Sequence, residues 1–267
     1  MSGLRLALAD SLVIAKRNTI KIVRVPDVLV FVLLSPIMFV LLFGYVFGNS
    51  IEVEGTSYRE FLIAGIFAQT VVFGATFTGA GLADDMQKGI MDRFRSLPMS
   101  RSAVLTGRTM SDVIYNIVSI ITMAVTGLLV GWRIRGSIGD ALLGFLLLLL
   151  FAYAISWVMA YIGLLVPSVE VINNAAFMVI FPLTFVANTF VPAEDLPGPL
   201  RIIAEWNPVS TVTQAARELF GNIPPGTPEP ESWALQNPVV YTLIWVVITI
   251  AVFAPLSIGR YKKAGKR

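Results

Sequence analysis

Six long segments without a charged residue constrain this chain more than any other feature of its sequence. Each has at least 20 residues, enough for a helix to cross the hydrocarbon core of a bilayer. Only 14% of the residues are charged, against about a quarter in a soluble domain. The charge-free segments are Val28–Phe47, Phe61–Ala83, Val113–Trp132, Ala141–Val169, Val171–Ala193 and Ser232–Gly259.

The sequence therefore predicts an all-α polytopic membrane protein, a single transmembrane domain over residues 1–267 with six transmembrane helices. Glu170 alone separates the fourth and fifth segments, which predicts a tight turn between them. The predicted spans are 28–47, 61–83, 110–132, 141–166, 171–191 and 238–259. The other predicted parts are an interfacial helix at 1–26, a loop at 84–108, an outer cap with short helices at 192–237 and a tail at 260–267.

The distribution of basic residues predicts the orientation of these spans. Of the 20 lysines and arginines, five lie before span one, five in the 84–108 loop and five in the tail. Cytoplasmic segments carry the excess of basic residues in membrane proteins. Both termini and the 84–108 loop are therefore expected in the cytoplasm.

The N-terminal segment has the pattern of an amphipathic helix in the cytoplasmic interface. Leu4, Leu8 and Leu12 follow one another at intervals of four and are expected to enter the bilayer. Arg17 and Lys21, with Arg24, are expected to face lipid phosphates.

The most densely charged stretch between two apolar segments is Ala83–Arg108. Met86, Ile90, Phe94 and Leu97 form an apolar stripe if the stretch is helical. Lys88, Asp92 and Arg95 then lie on the opposite face. Pro98 disfavours helical geometry at Leu97, so we expect the helix to end there and a second helix to begin after Ser100 or Ser102.

Polar residues inside the predicted spans are candidates for a translocation path. Those of span three recur every three or four residues and so lie on one helical face, which must face protein or water. Helix packing and the lining of a path are both open for this face. The candidates are Gln69 and Thr76 in span two, Asp112, Asn116, Ser119 and Thr122 in or beside span three, and Asn173, Asn174 and Asn188 in span five.

The chemistry that the sequence lacks narrows the function. There is no cysteine or histidine, which excludes thiol nucleophiles, metal sites built on these residues and histidine proton relays. There is no phosphate-binding G-x-x-x-x-G-K-[ST] motif, so no ATP site of that type is expected. Besides a translocation path driven by another protein, two classes of function stay open. One is a membrane enzyme acting on lipid-diphosphate substrates through Asp84, Asp85 and Asp92, and the other is an ion-coupled secondary transporter.

Two stretches resemble a known family. The first, KGIMDRFRSLPMSRSAVLTGR, resembles the cytoplasmic loop of type 2 ABC exporter permeases of the daunorubicin-resistance-like branch. It departs from many members at Gln87-Lys88, where they carry acidic residues. The second, FPLTFVANTFVPAEDLPGPLRIIAEWNPVSTVTQAARELF, resembles the outer segment of the same family.

The resemblance implies a cytoplasmic coupling helix seated on a separate ATPase, in an assembly of two permeases and two ATPases in the bacterial cytoplasmic membrane. ATP and magnesium would be bound by the partner, with no cofactor, metal or catalytic residue in this chain. The exported substrates of the family include hydrophobic drugs, lipids and lipid-linked glycans. The implied coupling residues are Asp85, Met86, Lys88, Gly89, Ile90, Asp92, Arg93, Phe94, Arg95, Leu97, Pro98 and Arg101, and those of the outer gate or cap are Pro182, Phe190, Pro192, Pro197, Asn207, Pro208 and Arg217.

Overall fold

A computed structural model describes residues 3–24, 26–47, 57–97, 99–166, 168–223 and 226–263. These residues form helices joined by short connections, without a β-strand. A π-helical segment, Leu42–Phe47, continues α2, and a 3₁₀ turn, Ala193–Asp195, precedes α9. The α-helices are α1 (Gly3–Val23), α2 (Pro26–Leu41), α3 (Tyr58–Gly74), α4 (Thr76–Gln87), α5 (Ile90–Ser96), α6 (Arg101–Val130), α7 (Ile138–Gly163), α8 (Val169–Val186), α9 (Gly198–Glu205), α10 (Pro208–Leu219), α11 (Trp233–Gln236) and α12 (Pro238–Lys263).

Within the described residues, five helical segments are long and apolar enough to cross a membrane. They are Tyr58–Gln87, Ser102–Val130, Ile138–Gly163, Val169–Val186 and Pro238–Lys263. They overlap the predicted spans two to six. The predicted span 28–47 falls on α2 and its π-helical continuation, which are not among these five.

Serine side chains cap the N-termini of three of the membrane-length segments. Ser57, Ser137 and Ser168 each accept a hydrogen bond from the backbone N–H three residues later, at 3.3, 3.1 and 3.2 Å. Such a bond satisfies one of the donors that a helix leaves unpaired at its N-terminus. Gly131 ends α6 in the left-handed region, with φ 105°, a conformation that glycine adopts without a steric penalty.

The second predicted span consists of two helical segments, α3 and α4, which meet at Ala75. The backbone N–H of Thr78 donates to the Ala75 carbonyl three residues earlier, and the Thr76 hydroxyl donates to the Phe73 carbonyl at 2.7 Å. A tighter i-to-i+3 turn and a side-chain bond to the backbone both interrupt the regular helical ladder. The span therefore has a local joint close to its middle.

Two groups of buried apolar side chains lie at different levels of the bundle. The larger one surrounds α3 and includes residues of α6, α7, α8 and α10. The smaller one gathers the end of α4, the beginning of α6 and the ends of α7 and α12, around Leu82, Leu105 and Tyr261. We call this second end of the bundle the basic end, because Arg17, Lys88 and the basic last turn of α12 belong to it.

The opposite end holds α9, α10 and α11 and is called the outer cap, residues 192–237. Its central helix α10 packs against α3, α7 and α12. The membrane-length segments run between these two ends in alternating directions.

Candidate functional site

Residues 84–100 comprise the last turn of α4, the helix α5 and the chain up to α6, and are called the coupling segment. It is not the single helix that the sequence pattern predicts over Ala83–Leu97. Gly89 has φ 65° and ψ 14°, a left-handed conformation that ends α4 at Gln87 and lets α5 begin at Ile90. The helix α5 has only seven residues and ends at Ser96, with Leu97 extended.

The turn at Gly89 changes which apolar residues face the protein. Met91 is 2% exposed and packs into the apolar group of the basic end, together with the partly buried Met86 and Phe94. Leu97, predicted to share this stripe, is 53% exposed. The prediction that Leu97 shares this stripe is wrong because Lys88 and Gly89 lie outside helical geometry. The break changes the side of the segment on which every later residue lies.

The solvent-facing side of the coupling segment carries both charges and an apolar group. Lys88, Asp92, Arg93 and Leu97 are exposed. Lys88 donates to the carboxylate of Asp84 one turn earlier, with a shortest N···O distance of 2.7 Å. Pro98 and the side chains of Arg95 and Arg101 lie outside the described residues.

The amphipathic helix α1 is attached to both sides of the coupling segment. Two guanidinium nitrogens of Arg17 donate to the two carboxylate oxygens of Asp85, at 3.3 and 3.2 Å. The same guanidinium lies 5.2 Å from the centre of the Phe94 ring, within the range of a cation–π contact. Further along, the carboxylate of Asp10 accepts the backbone N–H of Ser100 at 3.1 Å.

This attachment corrects the expectation that Arg17 faces lipid phosphates. One face of α1, with Ser11 and Ile14, packs on α6, where Gly107 leaves no room for a side chain: a Cβ there would lie 2.5 Å from the Ser11 carbonyl oxygen. Leu8 and Leu12 are more than half exposed away from this contact, and their entry into the bilayer stays a prediction. The side chains of Leu4 and Lys21 lie outside the described residues.

The polar face of α6 lies inside the chain. Asp112, Asn116 and Ser119 are at most 1% exposed. The side-chain oxygen of Asn116 would lie 2.6 Å from a Cβ at Gly74, so this face packs against the junction of α3 and α4. Thr122 is less buried and donates to the Val118 carbonyl of its own helix. Of the two open interpretations, the structure supports helix packing.

The remaining path candidates do not share one surface. Gln69 is 4% exposed inside α3, and Thr76 belongs to the joint with α4. Asn173 and Asn174 are exposed on α8, whereas Asn188 lies buried beyond its end. The fold thus separates the candidates of α3 and α6, which face the chain's interior, from those of α8, which face outward.

Arg217 on α10 is the centre of the predicted outer cap. Its Nε donates to the Phe61 carbonyl at 3.1 Å, and one Nη donates to the Asn188 carbonyl at 2.7 Å. The guanidinium lies 3.5 Å from the centre of the Phe61 ring. Burial lowers the pKa of Arg217 to about 9, an effect that the nearby Glu194 carboxylate opposes. One side chain thus joins α10 to the beginning of α3 and to the chain after α8.

The other predicted cap residues shape the entry into α10. Asn207 caps this helix by accepting the Val209 N–H at 2.9 Å, and its amide donates to the Leu183 carbonyl at 2.7 Å. Pro208 occupies the first helical position of α10 and Pro197 the position before α9, where proline is well tolerated. Pro182 lies within α8, which continues to Val186.

Phe190 and the 3₁₀ turn complete this region. The Tyr58 hydroxyl donates to the Phe190 carbonyl at 3.1 Å. The Phe190 ring stacks on Phe43 and lies against Phe185, with centroids 4.6 and 4.7 Å apart. Pro192 is buried and precedes the 3₁₀ turn.

A second attachment of the cap was not predicted from the sequence. Asn222 accepts a hydrogen bond from the Trp132 indole at 2.8 Å and donates to the Arg133 carbonyl at 2.8 Å. Phe220 lies between the Trp132 and Phe145 rings. A tryptophan at the end of a span is ordinarily interpreted as an interfacial anchor, which conceals its structural role here.

A model of the ABC-2 type transporter family matches residues 11–220 of the chain. The chain belongs to this family. The match includes α1 from residue 11 onward, the coupling segment, the polar face of α6 and the first two helices of the outer cap with Arg217, and it confirms the resemblance noted in the sequence.

Drug-resistance permeases are among the relatives of this permease. It is 33% identical to the daunorubicin resistance ABC transporter permease protein DrrB1 of Streptomyces coeruleorubidus, over 89% of this chain and 80% of the relative. It is 23% identical to a probable doxorubicin resistance ABC transporter permease protein, DrrC, of Mycobacterium tuberculosis, over 97% and 91%. A putative transport permease of Porphyra purpurea, ycf38, is 24% identical over 78% and 73%.

Proposed function

We propose that this permease is the membrane-spanning subunit of an ATP-driven exporter in the bacterial cytoplasmic membrane. It has six spans, with α2 and its π-helical continuation as the first, and both termini in the cytoplasm. A separate ATPase, present in two copies, binds ATP and magnesium and drives two permease protomers, either identical or paired paralogues. The permease itself contributes no ATP site.

The observation that supports this proposal best is the position and surface of the coupling segment. It lies at the basic end, between two membrane-length helices, and exposes Lys88, Asp92, Arg93 and Leu97. An exposed leucine among charges of both signs suits a polar-rimmed protein interface better than a lipid surface. The segment is also attached to α1, α4 and α6, so a force on it reaches three helices.

The substrate path is proposed to run between two protomers along α8. This helix exposes Asn173 and Asn174, with Phe177, Met178 and Val179 further along. The helix α3, which the sequence also placed at the path, is almost wholly buried within its own chain. We therefore assign α3 to transmission between the ends and α8 to contact with the substrate.

The proposed substrates are hydrophobic drugs, lipids or lipid-linked molecules. The names of two relatives associate those proteins with resistance to daunorubicin and doxorubicin. The exposed faces of α8 and α12 are apolar, which suits molecules that reach the permease from the bilayer.

The enzyme alternative is weakened by the surroundings of its carboxylates. Asp85 is bound by Arg17 and its side chain is 5% exposed, and Asp84 is paired with Lys88. In the parts of the chain that the structure describes, no three His, Cys, Asp or Glu residues are placed to hold a metal ion. A diphosphate substrate would lack the metal-binding acidic cluster on which that alternative rests.

The test is co-purification of the permease with a soluble ATPase from its native membrane, using Leu97→Asp as the disrupting variant. The matched control is Leu165→Asp, because Leu165 is 46% exposed in the α7–α8 connection and Leu97 is 53% exposed. Since neither leucine is buried, both variants are expected to fold. We expect Leu97→Asp to reduce the co-purified ATPase about tenfold, as loss of a central apolar contact costs at least 1–2 kcal/mol at an interface.

The control decides how this result is interpreted. Equal loss with Leu165→Asp would assign the effect to the membrane surface in general. A permease isolated without any ATPase in the mildest detergent would overturn the proposed function. In that case, gradient-driven uptake into vesicles would test the secondary transporter.

A further inference from the structure

The outer cap encloses a cavity of about 500 Å³, within the range of sites for small organic ligands. It lies where α3 begins, where the chain leaves α8 and under the loop before α11. Its walls combine apolar groups such as Phe61, Pro192, Ile223 and Leu235 with many carboxylates. The lining of the cavity thus combines apolar surface with charged groups.

The charges around this cavity are unbalanced. Its lining includes five carboxylates and two guanidiniums, a net of three negative charges. Arg201 is already paired with Glu205 at 2.8 Å and with Glu231 at 3.0 Å. The structure pairs Asp195 and Glu229, both exposed, with no basic residue among those it describes. A concave site with one sign of charge concentrates ligands of the opposite sign.

Arg217, the other cation, does not turn the cavity into an anion site. It is 2% exposed. Its Nε and one Nη donate to the backbone carbonyls of Phe61 and Asn188, whereas the other Nη is buried without a hydrogen-bond partner among the described residues. Glu194 is the nearby carboxylate that favours its charged form. Arg217 is therefore buried beside a carboxylate, whereas Asp195 and Glu229 are exposed and have no basic partner among the described residues.

A buried acceptor adds an observation independent of the acidic rim. Asn188 lines the cavity and is 4% exposed, and its side-chain oxygen has no hydrogen-bond partner among the described residues. A buried acceptor without a partner costs about 1–3 kcal/mol. A ligand with an N–H donor would remove that cost.

We propose that this cavity is a binding site for organic cations with an apolar body, the ammonium or iminium group lying near Asp195 and Glu229. Phe61 and Leu235, with the prolines of the wall, contact the apolar body, and the Asn188 oxygen accepts an N–H from the ligand. The site lies on the outer side of the permease and selects against anions. This proposal rests on the proposed function in one respect, because the organic cation is taken as the class of molecule that the exporter releases or senses at this site.

Equilibrium binding to the permease alone tests this proposal without transport. The purified chain is placed in nanodiscs of zwitterionic phosphatidylcholine and titrated with ethidium, a fluorescent organic cation, and with fluorescein, an anion of similar size. Protein-free nanodiscs give the background of lipid partitioning. We expect saturable binding of ethidium and none of fluorescein.

The test variant removes the two unpaired rim carboxylates, Asp195→Asn with Glu229→Gln. The control, Asp140→Asn with Glu218→Gln, removes two exposed carboxylates elsewhere on the same side of the chain, neither of which lines the cavity. Both double variants change the net charge equally. We expect the test variant to weaken ethidium binding about tenfold and the control less than about twofold, because neither carboxylate of the control lines the cavity.

Each outcome has one interpretation. Equal weakening by both double variants would show that the general surface field attracts ethidium and would overturn the cavity as a site. Binding of fluorescein, or no saturable binding of ethidium, would overturn the proposal as well. If the permease still co-purifies with its ATPase from the native membrane, only the cation site is rejected and the exporter function stands.

Discussion

The two ends of the permease are built differently. At the basic end, the ion pair of Arg17 with Asp85 attaches α1 to α4, and the short helix α5 that follows packs one face, around Met91. In the outer cap, α10 is almost entirely buried, and Arg217, Asn207 and Asn222 bind backbone carbonyls of three other segments. The helix α5 presents charges to solvent, whereas Arg217, Asn207 and Asn222 of the cap direct their polar groups inward.

Because of this difference, we expect the basic end to rearrange under an applied force more easily than the outer cap. Ion pairs near solvent contribute little each and can rearrange at small cost. Buried polar groups that lose a partner incur the full cost of desolvation. The basic end can therefore move in small steps, whereas the cap changes only when several buried bonds break together.

The largest expected effect is that of Arg217→Leu. It removes the donor from the carbonyls of Phe61 and Asn188, and breaking a buried charged contact costs about 3 kcal/mol or more. We expect a marked fall in the thermal unfolding midpoint of the permease in detergent. Arg201→Leu, which removes partly exposed ion pairs only, is the control, and an equal fall for both would contradict the rigid cap.

The attachment of α1 gives an intermediate effect. Arg17→Asp or Asp85→Arg alone leaves two like charges facing each other, and we expect each to cost about 2 kcal/mol and to lower transport without preventing ATPase binding. The double variant restores an ion pair of reversed polarity. Recovery of transport in the double variant, measured in vesicles, is the expected result; additive loss would show that the two residues act independently.

Gly89→Ala tests the backbone turn of the coupling segment. A Cβ at Gly89 would meet no atom within 4 Å, so the whole cost comes from the positive φ and amounts to about 1 kcal/mol. Gly139→Ala is the control, because this glycine lies in the first turn of α7 with space around it. Hydrogen exchange of α5 should increase in the first variant only.

Lys88→Ala is expected to have the smallest effect. The pair of Lys88 with Asp84 is largely exposed, and such i,i+4 pairs contribute about 0.5 kcal/mol or less. Unfolding should be unchanged within error. A clear loss of ATPase binding at constant stability would place Lys88 in the interface and sharpen the contrast between the two ends.

Much of the fold follows from features that are local in sequence. Charge-free length locates the five membrane-length helical segments. The end of α5 near Leu97 likewise follows from the proline that comes next. Each of these depends on residues within one turn of the feature, so no knowledge of the tertiary contacts is needed.

The missed features depend on residues far apart in the chain. Asp85 and Arg17 are separated by 68 positions, and nothing in the local pattern distinguishes this arginine from others that face lipid. Asp10, the only acid in the first 26 residues, is the one signal that could have indicated a protein contact for α1. The break at Gly89 was equally hidden, because a glycine inside a helical pattern is compatible with a continuous helix.

The joint at Ala75 gives the second span the mechanics of a lever. On its outer side, α3 is fixed to the cap, since Arg217 donates to the Phe61 carbonyl. On its inner side, α4 touches α7 backbone to backbone, since a Cβ at Gly163 would lie only 2.6 Å from the Gly79 oxygen. We therefore expect a displacement at the coupling segment to bend the second span at Ala75, while α3 stays with the cap.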